Sequence, residues 1–80
     1  MKVLLTDPAK RRLKDIFQYY RKNVSERIAE KITNKILDDI QILETMPYAG
    51  AEEEYLKQLL LEHRRIVSGN YKVIYRIAND

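Results

Sequence analysis

Cysteine is missing from this chain, which excludes a disulfide frame and any thiolate metal site, and suits a reducing cytoplasm. Histidine occurs once, as His63, with no second histidine or acid near it at ligand spacing, so no metal is expected. Glycine occurs only twice and forms no phosphate-cradling loop; no serine nucleophile motif and no paired carboxylates on a cleft accompany it. Asp38 and Asp39 are adjacent on a helix and diverge. No cofactor is implied. Long apolar runs are lacking as well: Met1 to Leu5 is far too short for a signal peptide or a membrane span, and Thr6-Asp7-Pro8 ends it. Repeats, low-complexity tracts and linkers are absent. These absences describe a soluble, cytoplasmic chain with no membrane partner.

What is present is an ordinary globular composition, 45% hydrophobic and 34% charged. Its 80 residues allow one domain, spanning 1–80, with a modest core. The net charge of +3 is mild but unevenly spread. Residues 10–22 hold Lys10, Arg11, Arg12, Lys14, Arg21 and Lys22 against the single acid Asp15, and residues 63–77 hold His63, Arg64, Arg65, Lys72 and Arg76 with no acid. The acidic run Glu52-Glu53-Glu54 lies between them. Basic patches of this kind suit nucleic acid or an acidic peptide, with solvated helix and sheet faces as the plain alternative.

Periodicity gives an α+β order of elements. Lys2–Leu5 reads as a short N-terminal strand. Asp7 caps a first helix with Pro8 at its first position, and Ala9, Leu13, Ile16, Phe17 and Tyr20 recur at helical spacing to about residue 22. Ser25 caps a second helix, striped by Ile28, Ile32, Ile36, Ile40 and Leu43 with Ala29 and Leu37 beside them. Met46-Pro47-Tyr48-Ala49-Gly50 stops that helix. So short a link makes the pair an antiparallel helical hairpin. Residues 51–62, with Tyr55, Leu56, Leu59, Leu60 and Leu61, suit a short helix or an apolar connection. His63–Ser68 and Tyr71–Ile77 then read as strands joined at Ser68-Gly69-Asn70. Tyr71, Val73, Tyr75, Ile77 and Ile66 should face the helices. His63, Arg65, Val67, Lys72, Ile74 and Arg76 should form a basic open face that nothing in the chain covers. Tyr19, Tyr20 and Tyr48 fit core-edge positions. Ala78-Asn79-Asp80 reads as a turn with no strand after it, leaving the edge of Tyr71–Ile77 unpaired.

Pro47-x-x-Gly50 followed by Gly69-x-Tyr71-Lys72-Val73-Ile74-Tyr75, set behind a strand and a helical hairpin, resembles the RelE/ParE toxins of bacterial type II toxin–antitoxin systems. The resemblance covers essentially the whole chain; each motif is weak alone, and their order and spacing carry it. It implies a helical hairpin on one face of a small antiparallel sheet, a cognate antitoxin as partner, and a role in plasmid stabilisation. The RelE-like branch cleaves messenger RNA on the ribosome, and the ParE-like branch poisons DNA gyrase. By position, His63 and Arg65 lie where the nuclease branch places two basic side chains, and Lys72 where it places an arginine. Lysine is a point charge without the planar fork. The arginine and tyrosine of that branch's C-terminal segment have no counterpart before Asp80. The acidic insert after Gly50 resembles the ParE side, which is the reading favoured.

Three functions follow: a gyrase-directed toxin, a ribosome-dependent RNA endonuclease, or a truncated, non-toxic binding module. His63, Arg65, Lys72 and Arg76 are the candidates for target or nucleic-acid binding, each weighed against a plain surface role, and no catalytic residue is assigned. With the chain ending at Asp80, weakened toxicity and little RNA cleavage are expected.

Overall fold

The computed structural model describes residues 2–57, 59 and 62–78 of the chain. Thr6, in extended conformation, opens helix α1 (Asp7–Asn23), its hydroxyl accepting from the Ala9 amide at 3.2 Å. The cap is therefore one residue earlier than Asp7, which sits in the first turn and complements the helix dipole there. Arg21 and Lys22 do the same at the other end. Ser25 caps α2 (Glu26–Ile42) as expected, accepting from the Ile28 amide at 3.1 Å. That helix stops at Ile42, short of the expected Met46. The amides of Leu43, Glu44 and Thr45 reach back only three residues, to Ile40, Gln41 and Ile42, which tightens the last turn. Pro47 then has no amide to donate and disfavours helical backbone at Met46.

The two helices pack against each other and bury one face of each. Ile16 from α1 meets Ile36 and Ile40 from α2, and Val3, Leu5, Leu13, Tyr20, Ile32, Tyr71 and Val73 close around them. Ala29 and Leu43 are buried too, whereas Leu37, at the margin of the stripe, is 40% exposed. A period of 3.6 residues accounts for the helical members of this set.

The sheet has three antiparallel strands in the order β1 (Ala51–Glu52), β2 (Arg64–Ser68), β3 (Tyr71–Tyr75). A one-turn helix, α3 (Glu54–Lys57), lies between β1 and β2. Gly69, at φ +59°, supplies the left-handed residue of the two-residue turn between β2 and β3. Both later strands are shorter than His63–Ser68 and Tyr71–Ile77: pairing ends at Arg64 with Tyr75.

The third strand is not the expected one. Residues 2–6 form no strand, although Val3 and Leu5 turn inward and Lys2 and Leu4 outward. Alternation tells which side chains face the core, but a strand also needs a neighbouring backbone to bond with, and residues 2–6 join none of the three strands; the third strand is Ala51–Glu52, beside β2. β3 has β2 as its single neighbour among the described residues, so its outer edge is unpaired there. The expected apolar contribution of Leu60 and Leu61 and the turn at Asn79-Asp80 lie outside the described residues.

Tyr71 donates its hydroxyl to that of Tyr20 at 3.2 Å, tying β3 to α1. That bond, followed by burial, holds the Tyr71 hydroxyl above the usual tyrosine range. On α2, the Lys35 ammonium, 2.7 Å away, holds the Asp39 carboxyl below the usual carboxylate range. Tyr19 and Tyr48 are not core-edge residues: they are 60% and 68% exposed. Helical spacing put Tyr19 on the margin of the stripe, and it stacks edge-on against Tyr20 instead, ring centres 5.1 Å apart.

Candidate functional site

Side chains of paired residues in a ladder share a face, so the register settles what the open face carries. Arg65 pairs with Ile74 and Val67 with Lys72. Val67 and Ile74 are 71% and 48% exposed, which confirms this face as the one turned from the helices. Ala51 pairs with Arg65, so two residues further along Glu53 returns to the same side. Its amide donates to the His63 carbonyl at 2.8 Å, extending the alignment one step past β1.

Glu53 changes the character of the face. Its carboxylate is almost wholly buried, 2.6 Å from the Lys72 ammonium and 4.0 Å from the Arg65 guanidinium. A carboxylate is removed from water at this depth only where cations compensate the lost hydration. Arg65 also donates to the Glu52 carbonyl, which anchors it over β1. The face expected to lie uncovered is therefore covered in part by the chain's own acid. Charge counting missed this because Glu52-Glu53-Glu54 reads as one acidic run, while the strand sends Glu53 alone onto the face.

Of the four candidates, the structure joins Arg65 and Lys72 and leaves the other two apart. Pairing stops before His63 and Arg76, so no ladder sets them against each other. Arg76 is exposed beyond the end of β3. His63 is half-buried ahead of β2, and its Nδ1 is enclosed without a hydrogen-bond partner among the described residues. No group of three or more His, Cys, Asp or Glu residues that could hold a metal occurs among the described residues.

A second arrangement explains the spacing of the two motifs. The Tyr75 hydroxyl donates to the Pro47 carbonyl at 2.7 Å and accepts from the Gly50 amide at 3.0 Å. Arg64 donates to the Gly50 carbonyl at 2.7 Å and lies 4.9 Å from the centre of the Tyr48 ring. The Pro-x-x-Gly turn is thus latched to β2 and β3 by side chains 14 to 28 residues away. Packing was the expected role of Tyr75; its hydroxyl adds this bridge. Tyr75→Phe keeps the ring and strands two partly buried backbone groups. It is expected to cost about 1–2 kcal/mol. Faster amide exchange at Gly50 in the variant would locate the loss, and unchanged exchange there would contradict the latch.

A helical hairpin on one face of a small antiparallel sheet, latched through the two motifs, is the fold of a RelE/ParE-type toxin domain. The match to known families is specific: the model for the ParE toxin of type II toxin–antitoxin systems covers residues 3–80, and the chain belongs to that family. Membership makes it the toxin of such a pair and implies an antitoxin as its partner. No curated protein and no solved structure matches the chain. No helix among the described residues is long and apolar enough to cross a membrane.

Proposed function

We propose that this toxin acts by protein contact, poisoning DNA gyrase, and is neutralised by a cognate antitoxin in the bacterial cytoplasm. The observation that carries the reading is the placement of Glu53 against Lys72 and Arg65. Cleaving RNA requires a base for the 2′-hydroxyl, cations for the developing phosphorane charge and an acid for the leaving oxygen. The two cations brought together on the open face already have a buried carboxylate as counter-ion, and they converge on one point where an RNA backbone would need a track of cations. Exposed Val67 and Ile74 beside them suit a protein surface.

Antitoxin binding has two supports. The cations of α1, Lys10, Arg11, Arg12, Lys14, Arg21 and Lys22, are all exposed and complement an acidic amphipathic segment. The outer edge of β3 offers backbone groups to an added strand. In a complex, the amides of β3 should become protected from exchange.

Purified protein incubated with gyrase and supercoiled DNA, beside a translating ribosome extract, tests the target. The expected result is loss of supercoiling activity with transcripts intact. Cleaved transcripts with normal gyrase activity would move the reading to a ribosome-dependent endonuclease. Inactivity in both assays would favour a non-toxic binding module.

A further inference from the structure

We propose that the Arg65–Lys72 pair is a docking site for an acidic side chain of a protein partner, and that Glu53 occupies it in the free chain as an internal competitor. The inference rests on the protein-contact reading and adds to it a site, a ligand chemistry and a regulating contact.

The geometry favours one carboxylate over a polyanion. Lys72 and Arg65 converge on the same oxygen of Glu53, at 2.6 and 4.0 Å, so they define a point and not a track. A nucleic-acid strand needs cations spaced along its backbone and aromatic faces for its bases. The face pairs these cations with Val67 and Ile74, which are aliphatic, exposed and directly across the ladder from Lys72 and Arg65. An extended segment with one Glu or Asp between apolar residues matches that pattern in both charge and shape.

Access differs on the two sides of the ion pair. The Glu53 side chain is 7% exposed, whereas that of Lys72 is 49% exposed. An incoming carboxylate can therefore reach the ammonium from solvent before Glu53 leaves. Exchange of one carboxylate for another conserves charge, so the site need not pass through a state with two unpaired cations. Glu53 stands between the end of β1 and α3, and its release requires no change in the β2–β3 ladder.

Occupancy by an internal group lowers apparent affinity in proportion to the open fraction, so a site open a tenth of the time binds about tenfold more weakly than a free one. The full chain and Glu53→Gln are titrated with a blocked peptide Ser-Val-Glu-Val-Ser, its glutamine counterpart, and oligothymidylate. Glu53→Gln is expected to bind the glutamate peptide about tenfold more tightly than the parent chain, with no gain for the other two probes. Lys72→Met added to it should abolish the gain. Equal affinity in parent and variant would overturn the proposal, as would a gain for oligothymidylate, which would assign the pair to phosphate.

Should Glu53→Gln fail to fold, Glu53→Asp retracts the carboxylate by one methylene and is expected to show a smaller gain in the same direction; absence of any gain would be equally damaging. In the unaltered chain, saturating peptide should move the Glu53 side-chain carboxyl resonance to that of a solvated carboxylate. Peptide binding without that movement would refute competition. A tenfold gain in a chain that leaves gyrase untouched would remove the proposed target and keep the site.

Discussion

Replacing Ile36 with alanine is expected to lower the unfolding free energy by about 2–4 kcal/mol, the range for a buried large-to-small change. The residue is 4% exposed and lies at the centre of α2, against Ile16 of α1 and Ile40 one turn on. Tyr71 and Val73 of β3 pack on the same cluster, so the cluster that Ile36 belongs to joins hairpin and sheet. A domain of 80 residues has about 4–12 kcal/mol in total, and the substitution removes a large share of it. Leu37 is the internal control. It is adjacent in sequence but 40% exposed, and Leu37→Ala is expected to cost under about 1 kcal/mol. Urea midpoints of the two variants check the assignment. Similar shifts for both would mean that the stripe has been placed on the wrong side of the helix.

The helical half of the fold was legible because amphipathic periodicity is local. Ser25 and the Ile28-to-Leu43 stripe each act within a few residues and keep their roles, while Pro8 stays in the first turn of α1 one position later than expected. The β2–β3 hairpin was legible for the same reason, through alternation and the glycine turn. Failures came where the deciding contact is distant. Nothing within residues 2–6 reveals that they find no strand to bond with, or that Ala51–Glu52 supplies the third strand. Within 51–57, nothing marks Glu53 as the acid that folds onto Lys72, because the pair is formed only after two strand registers are set. Arg65 and Lys72 were recognisable as sharing a face; the carboxylate between them was not. Likewise, Pro47, Gly50 and Tyr75 stood out as motif positions, while the hydroxyl bridge that relates them spans 25 to 28 residues.

Gly50→Ala is expected to be as damaging as the core substitution, about 2–4 kcal/mol, through overpacking and lost hydrogen bonds. A β-carbon at this position would lie 2.6 Å from the Arg65 carbonyl oxygen, 2.7 Å from the Tyr75 hydroxyl and 2.8 Å from its ring edge. The first of these is backbone of the central strand and is held on both sides by ladder pairs. The tyrosine could swing away only by releasing both Pro47 and Gly50. Relief therefore requires the turn to move away from β2, which breaks the bridge to Tyr75. Gly69 provides the contrast, since an added β-carbon there meets nothing within 4 Å and the cost is backbone strain alone at φ +59°. Gly69→Ala is expected to cost only about 1–2 kcal/mol. Chemical denaturation of both variants would separate clash from strain, and a Gly50→Ala no worse than Gly69→Ala would contradict the latch. Tyr75→Phe made on top of Gly50→Ala tests it a second way. If the alanine has already broken the bridge, the second substitution should cost far less than it does in the parent chain, and the shortfall measures the coupling between turn and strand.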